Sequence, residues 1–315
     1  MSEKRITVSI PASSSNLGPG FDCVALALSL RCNITFELAQ GNGKAKASDA
    51  PMVTFAGNIA KTSRPQDLGN LIYKILSELW SEDKALLNSL RIHVDSEIPL
   101  GCGLGSSAAA LVGALWADHV FKDRIPTTGN LLQKAGELEG HNESVAASLL
   151  GGCVVTAPSE FQKTIVARLI KWPSSWKTIV VIPNRRMQTK DARAVLPTKV
   201  SFEDGVWNAQ RSALLVAAIA SCDEATYREA VHDRLHEPYR EALVPELASL
   251  RRALVNAPYL SCTLSGGGPA LLVVVKEKHK ATVMEVLQDW AKANKDKPKV
   301  LEIAVDEQGI QEMIG

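Results

Sequence analysis

Pro99-Leu100-Gly101-Cys102-Gly103-Leu104-Gly105-Ser106-Ser107 runs without a break into Ala108-Ala109-Ala110-Leu111-Val112-Gly113-Ala114-Leu115-Trp116. Three glycines in five positions let the backbone turn tightly and approach a ligand closely, because glycine reaches positive φ without steric cost. Two serines and an alanine-rich apolar segment then start a helix, with hydroxyls placed to accept from the orphan amides of its first turn. Free amides and the positive end of the helix dipole at that point suit an anion. The stretch reads as a phosphate loop. It is not a Walker A loop, because Gly105 is followed by Ser106 and Ser107 and not by lysine. Charge on a polyphosphate must then be met by backbone amides and a metal, and hydroxyl and carboxylate ligands suit magnesium.

Composition bounds the rest. A length of 315 residues suggests roughly two domains. Apolar residues at 46% and charged residues at 22% are those of a globular chain. A formal net charge of +1, with both signs mixed along the chain, gives no footprint for nucleic acid or a membrane surface. The opening Met1-Ser2-Glu3-Lys4-Arg5-Ile6 lacks the apolar run of a secretory signal, and apolar segments such as Ala213 to Ala220 are too short to span a bilayer. Six cysteines are scattered without a C-x-x-C pair, so they read as reduced core thiols. The expected setting is cytoplasmic.

Outward from the loop, Leu90 to Val94 alternates as the strand that delivers it. Upstream, Arg5 to Ile10 reads as a strand. Pro11-Ala12-Ser13-Ser14-Ser15-Asn16-Leu17-Gly18-Pro19-Gly20-Phe21-Asp22 reads as a loop of turn formers. Val24 to Glu37 reads as one or two strands, Gly41-Asn42-Gly43 as a hairpin turn, and Leu68 to Leu87 as an amphipathic helix. Downstream, a helix over Gly129 to Glu139 ends at Gly140-His141-Asn142-Glu143-Ser144, and a strand over Gly152 to Pro158 closes the first half. Lys177 to Pro183 is a further strand, Val206 to Ala220 a helix, and Tyr227 to Arg252 contains another. His232 and His236 lie four apart there without the glutamate of a zinc motif. Ser261 to Pro269 is a glycine-rich loop before the strand Ala270 to Val275. The pattern is α+β, with a boundary placed at Pro158, giving residues 1–158 and 159–315.

Three segments, in order, resemble the motifs of the GHMP kinases. The phosphate loop is similar to their P-x-G-x-G-L-G-S-S-A-A. The segment from Pro11 to Asp22 resembles the first motif in its homoserine kinase form, P-A-S-x-x-N-L-G-P-G-F-D. Leu264-Ser265-Gly266-Gly267-Gly268-Pro269 resembles the third, L-S-G-x-G-P. The resemblance implies an S5-like N-terminal domain and a ferredoxin-like C-terminal domain with the active site in the cleft between them. It implies ATP-dependent phosphorylation of the L-homoserine hydroxyl. It places ATP on Pro99 to Ser107, with Gly267 of the third motif adjacent and Asn70 near the base, and it gives magnesium to Ser107 and Glu139. Asn16 and Asp22 are implied to contact the amino acid, joined by His141 and Ser144. Two further segments resemble homoserine kinases. Pro183 to Pro197 matches P-N-x-x-x-x-T-K-x-A-R-x-x-L-P and turns Thr189 toward the site, with Arg193 on the substrate carboxylate. Glu237-Pro238-Tyr239-Arg240 gives a second arginine to that carboxylate. The chain departs from the family's H-P-D-N at His141-Asn142-Glu143-Ser144, where Glu143 is the one candidate general base. Another small alcohol as substrate, a nucleotide-binding paralogue without turnover, and self-association as a homodimer remain open.

Overall fold

The computed structural model describes residues 4–38, 53–61, 66–162 and 164–313; the expected turn at Gly41-Asn42-Gly43 lies outside them. The first strands, β1 (Arg5–Asn16) and β2 (Gly20–Leu38), form a long antiparallel hairpin turned at Leu17-Gly18-Pro19. Turn-forming residues predict a loop over 11–22, but the structure keeps 11–16 in the ladder. Register shifts between Pro11 and Ala12 and between Ser15 and Asn16 accommodate them, since a proline is tolerated in a strand where the ladder is already irregular.

The same sheet takes β3 (Val53–Ala56), β4 (Leu90–Ser96), β5 (Cys153–Pro158), β6 (Ile165–Ile170) and, from the far end of the chain, β11 (Gln311–Met313). Its order is β11-β1-β2-β4-β3, with β5 on the first part of β2 and β6 on β5. Helices α1 (Gly57–Ala60), α2 (Gln66–Leu79), α3 (Lys84–Ser89), α4 (Ser106–Phe121), α5 (Thr128–Glu139) and α6 (Glu143–Leu150) fall within this half. The helix expected over 68–87 is two helices. Trp80 turns into the core and donates its Nε1–H to Asp118, and Asp83 caps a new start by accepting from the Leu86 amide. The phosphate-loop helix α4 is buried on nearly every side, between β1, α2, α5 and α6. Its alanines and Gly113 permit that, because a Cβ on Gly113 would stand 2.8 Å from the Ile34 side chain.

The second sheet has the order β10-β7-β9-β8, from β7 (Trp176–Ile182), β8 (Tyr259–Leu264), β9 (Leu271–Lys276) and β10 (Lys299–Glu302). Alternation in β7 and β9 serves two cores. Ile179, Val181, Leu271, Val273 and Val275 pack under α11 (Glu246–Ala253) and α12 (Lys280–Ala293), while Val180, Ile182, Leu272 and Val274 join the core of the first half. Between β7 and β8 lie α7 (Thr189–Ala194), α8 (Phe202–Ser221), α9 (Glu224–Ala230) and α10 (Glu237–Arg240). The single helix expected within 227–252 is in fact separate pieces. Asp233 accepts from the His236 and Glu237 amides to start α10, and Pro245 precedes α11. The sheets change over between Ile170 and Trp176, beyond the expected boundary at Pro158, because β6 stays with β5.

Candidate active site

The phosphate loop links β4 to α4 and is pressed on two sides. Gly103 and Gly105 have φ of 77° and 74°. A Cβ on Gly105 would stand 2.1 Å from Ser13 Oγ of the first motif, and one on Gly103 would stand 2.2 Å from the Ser265 carbonyl of the third. Only glycine fits either place. The Ser265 hydroxyl donates to the Gly103 carbonyl at 2.7 Å, the Ala270 amide to Cys102 O at 3.0 Å, and the Met187 amide to Gly101 O at 2.8 Å. The loop is thus held by both halves of the chain. Gly105, not a serine, is the N-cap of α4 and carries no capping side chain. The first helical residues, Ser106 to Ala108, line a cleft of about 110 Å³, so the helix presents its positive end there.

Gly101, Gly103 and Gly105 line that cleft, as do Ser107, Asn16, Asp22, His141, Ser144, Thr189, Arg193, Arg240 and Gly267. Pro99, Leu100 and Cys102 instead line a neighbouring cleft with Ile98, Lys61 and Arg186. Leu104 is buried in the core, and Asn70 is exposed on α2 and lines neither cleft. Glu139 is the last residue of α5, and its side chain lies outside those described. Burial raises the Cys102 thiol to about 11, with Arg186 and Arg185 opposing it.

The wall made by the first motif is the most charged. The Asp22 carboxylate takes two hydrogen bonds from Arg193, at 2.6 and 3.0 Å. Burial works against the Arg193 charge, but the bonds and charge of Asp22 outweigh it and hold the guanidinium above its ordinary value. Arg240 is buried, and burial together with the charge of Arg193 pushes it down to about 10. Its Nε donates to Ala192 O at 3.0 Å. Two guanidinium groups brought together in a cleft call for an anion. Asn16 is a tie across the cleft: its Nδ2 donates to Gly266 O at 2.9 Å and its Oδ1 accepts from the Asp22 amide at 3.1 Å.

Sequence reasoning passed over Phe21 and His236. The Phe21 ring lies under both guanidinium groups, 5.3 Å from Arg240 and 5.7 Å from Arg193, and stacks on His236 at 5.0 Å. His236 is fully buried against Gly18 O and Arg240, a positioning role its spacing to His232 did not signal, although its place four residues before Arg240 on one helical turn did. Glu143 is also more prominent than its sequence suggested. Only 3% exposed, it accepts from the Ser144 hydroxyl at 3.2 Å through Oε1, while Oε2 has no partner and the residue lines the cleft.

Comparison with known proteins agrees with this geometry. Residues 70–152 match the family model of the GHMP kinases N terminal domain, and residues 215–295 that of the GHMP kinases C terminal domain. A homoserine kinase of Solibacter usitatus is 36% identical over 307 residues, covering 96% of this chain and 95% of its own. The chain belongs to the GHMP kinase family. Another relative of this kinase, a homoserine kinase of Synechocystis, is 34% identical and covers 90% of each chain. The crystal structure of homoserine kinase from Cytophaga hutchinsonii superposes with a TM-score of 0.80 over 99% of this chain and 98% of that one, at 22% identity, which bears on the fold. Family membership makes the protein an ATP-dependent phosphotransferase of a small molecule. No helix among the described residues is long and apolar enough to cross a membrane.

Proposed function

We propose that this kinase transfers the γ-phosphoryl group of ATP to the side-chain hydroxyl of L-homoserine, forming O-phospho-L-homoserine for threonine synthesis in the cytoplasm. The observation that carries the reading is one cleft lined by a glycine loop at a helix N-terminus on one side and by Asp22, Arg193 and Arg240 on the other. The first suits a polyphosphate and the second an α-amino acid.

Phosphoryl transfer asks mainly for positioning and charge neutralisation, because its transition state is loose. Gly101, Gly103 and Gly105 admit the phosphates, and the first-turn amides of α4 take part of their charge. The cleft fits a magnesium ion, since it combines hydroxyl oxygens with a buried carboxylate oxygen, Glu143 Oε2, that has no hydrogen-bond partner among the described residues. Ser107 and Glu139 would hold it, and bound there it supplies charge neutralisation at the transferring phosphoryl group. Arg240 and Arg193 orient the substrate carboxylate, Asp22 the ammonium group, and Thr189, His141 and Ser144 border the hydroxyl. Glu143, buried on the cleft, is the residue that would accept the hydroxyl proton. The test is ADP release in a coupled assay with ATP, magnesium and L-homoserine. Turnover with homoserine well above that with other small alcohols is expected, and turnover of a different alcohol in its place overturns the assignment.

A further inference from the structure

We infer that Asp22 and Arg193 form an ionic latch that only a zwitterion opens without stranding a charge; this rests on the amino acid reading of the cleft. The two side chains lie 171 residues apart in sequence and satisfy each other in a two-bond pair. Asp22 sits at φ 54° with its amide fixed to Asn16, so its backbone is held while its side chain closes on α7. Arg193 stands beside a second, buried guanidinium, Arg240, over the same Phe21 ring. This wall therefore has two cations and one engaged carboxylate, with the Glu143 carboxylate, also on the cleft, acting on Arg193 more weakly than Asp22 does.

An α-amino acid carries the same two charges as the latch. Its entry exchanges one pair for two, ammonium with Asp22 and carboxylate with the guanidinium groups, and every charge stays paired. A carboxylate without an ammonium group can pair with Arg240, but to gain Arg193 as well it must compete with Asp22 and leave that aspartate bare. An ammonium without a carboxylate must do the reverse. A charge left without its partner in a partly desolvated site costs far more than the pair contributes. Selectivity then arises from coupling between the two ends of the ligand and not from either contact alone.

The latch makes a prediction opposite in sign to that of a merely structural pair. Binding is measured by calorimetry for L-homoserine, for 4-hydroxybutyrate, which lacks the ammonium group, and for 3-aminopropan-1-ol, which lacks the carboxylate. Asp22→Asn should weaken homoserine by roughly ten- to a hundredfold and at the same time tighten 4-hydroxybutyrate by about fivefold or more, because Arg193 is released. Arg193→Gln, on the half-exposed face of a short helix, should tighten 3-aminopropan-1-ol while weakening homoserine. Thermal unfolding of each variant shows that it is folded. If both substitutions weaken every ligand alike, the pair only braces the cleft and the latch is overturned, while homoserine turnover by the wild type leaves the function standing. If the wild type does not turn over homoserine, that function falls. The same variants titrated with an α-amino acid and its deamino counterpart still decide the latch.

Discussion

Arg240 shows how one residue turns burial into recognition. The residue is 2% exposed, and its guanidinium spends its bonds on Ala192 O, His236 and Gly266 O, with Arg193 as a like-charged neighbour. The substrate carboxylate proposed to bind there would relieve that repulsion. Arg240→Ala should raise the KM for homoserine by roughly ten- to several hundredfold, matching loss of a charge-assisted bond of about 1.5–3 kcal/mol, and leave the KM for ATP unchanged. Equal rises in both constants would place the arginine in the scaffold instead. The two proposed metal ligands separate differently. Glu139→Gln should lower kcat at least about a hundredfold at saturating magnesium, because a lost ligand removes charge stabilisation from the transition state. Ser107→Ala should raise the magnesium concentration for half-activity, whereas Ser106→Ala should barely move it. Gly105 is the cap of α4, and Ser106 is one residue inside. Equal magnesium dependence in the two serine variants would reverse that division.

At the scale of elements, the phosphate loop is an interface more than a loop. Gly103→Ala would push a Cβ into the Ser265 carbonyl at a φ of 77°, and the clash is with backbone that cannot swing aside. It should cost about 1–3 kcal/mol and raise the KM for ATP at least roughly tenfold. Gly205 is its control, lying in α8 with nothing within 4 Å of an added Cβ, so Gly205→Ala should stabilise by about 0.5–1 kcal/mol. Urea unfolding of the two variants checks both signs. The contrast also explains what was legible in the sequence. The strands and helices around the loop carry their own periodicity, so β4, α4, α5 and β5 are visible locally. The break between α2 and α3 depends on Trp80 finding Asp118, 38 residues on. The strand character of Pro11 to Asn16 depends on pairing that outweighs turn propensity. That residues of separate motifs line one cleft was legible in the sequence, but not what their side chains touch. Asn16, read as a substrate contact, spends its amide joining the first and third motif segments, and Phe21 drew no notice because it stands in a stretch of turn formers that shows no period, although the structure places it in β2.

For the whole molecule, the decisive feature is that residues 304–313 return to the first sheet. After β10 leaves the second sheet, the Ser29 amide donates to Ala304 O, Asp306 N donates to Ala27 O, the Gly152 amide donates to Asp306 O, and β11 pairs β1 with Thr7 opposite Met313. Nothing in residues 304–313 announces a strand, since β11 is short and exposed and its partner is some three hundred positions away. Arg31 fastens this return strap. It forms an ion pair with Asp306 and donates to Ser9 O and Gly309 O, while the other Asp306 oxygen accepts the Gln308 and Gly309 amides. With Asp306 only 7% exposed, removing its carboxylate leaves one part-buried guanidinium without its counter-charge and two amides without an acceptor. Asp306→Ala should therefore cost about 3 kcal/mol in urea unfolding. Because the second sheet's inner face and the strap both pack into the first half's core, the loss should appear as a shift of one transition. Tryptophan fluorescence and circular dichroism should report the same midpoint, Trp80 and Trp116 standing in the first half and Trp290 in the second. Two separated transitions in the variant would mean that the halves fold independently and that the strap alone couples them, and an unchanged midpoint would mean that the Arg31–Asp306 pair contributes nothing to holding the cleft's two walls together.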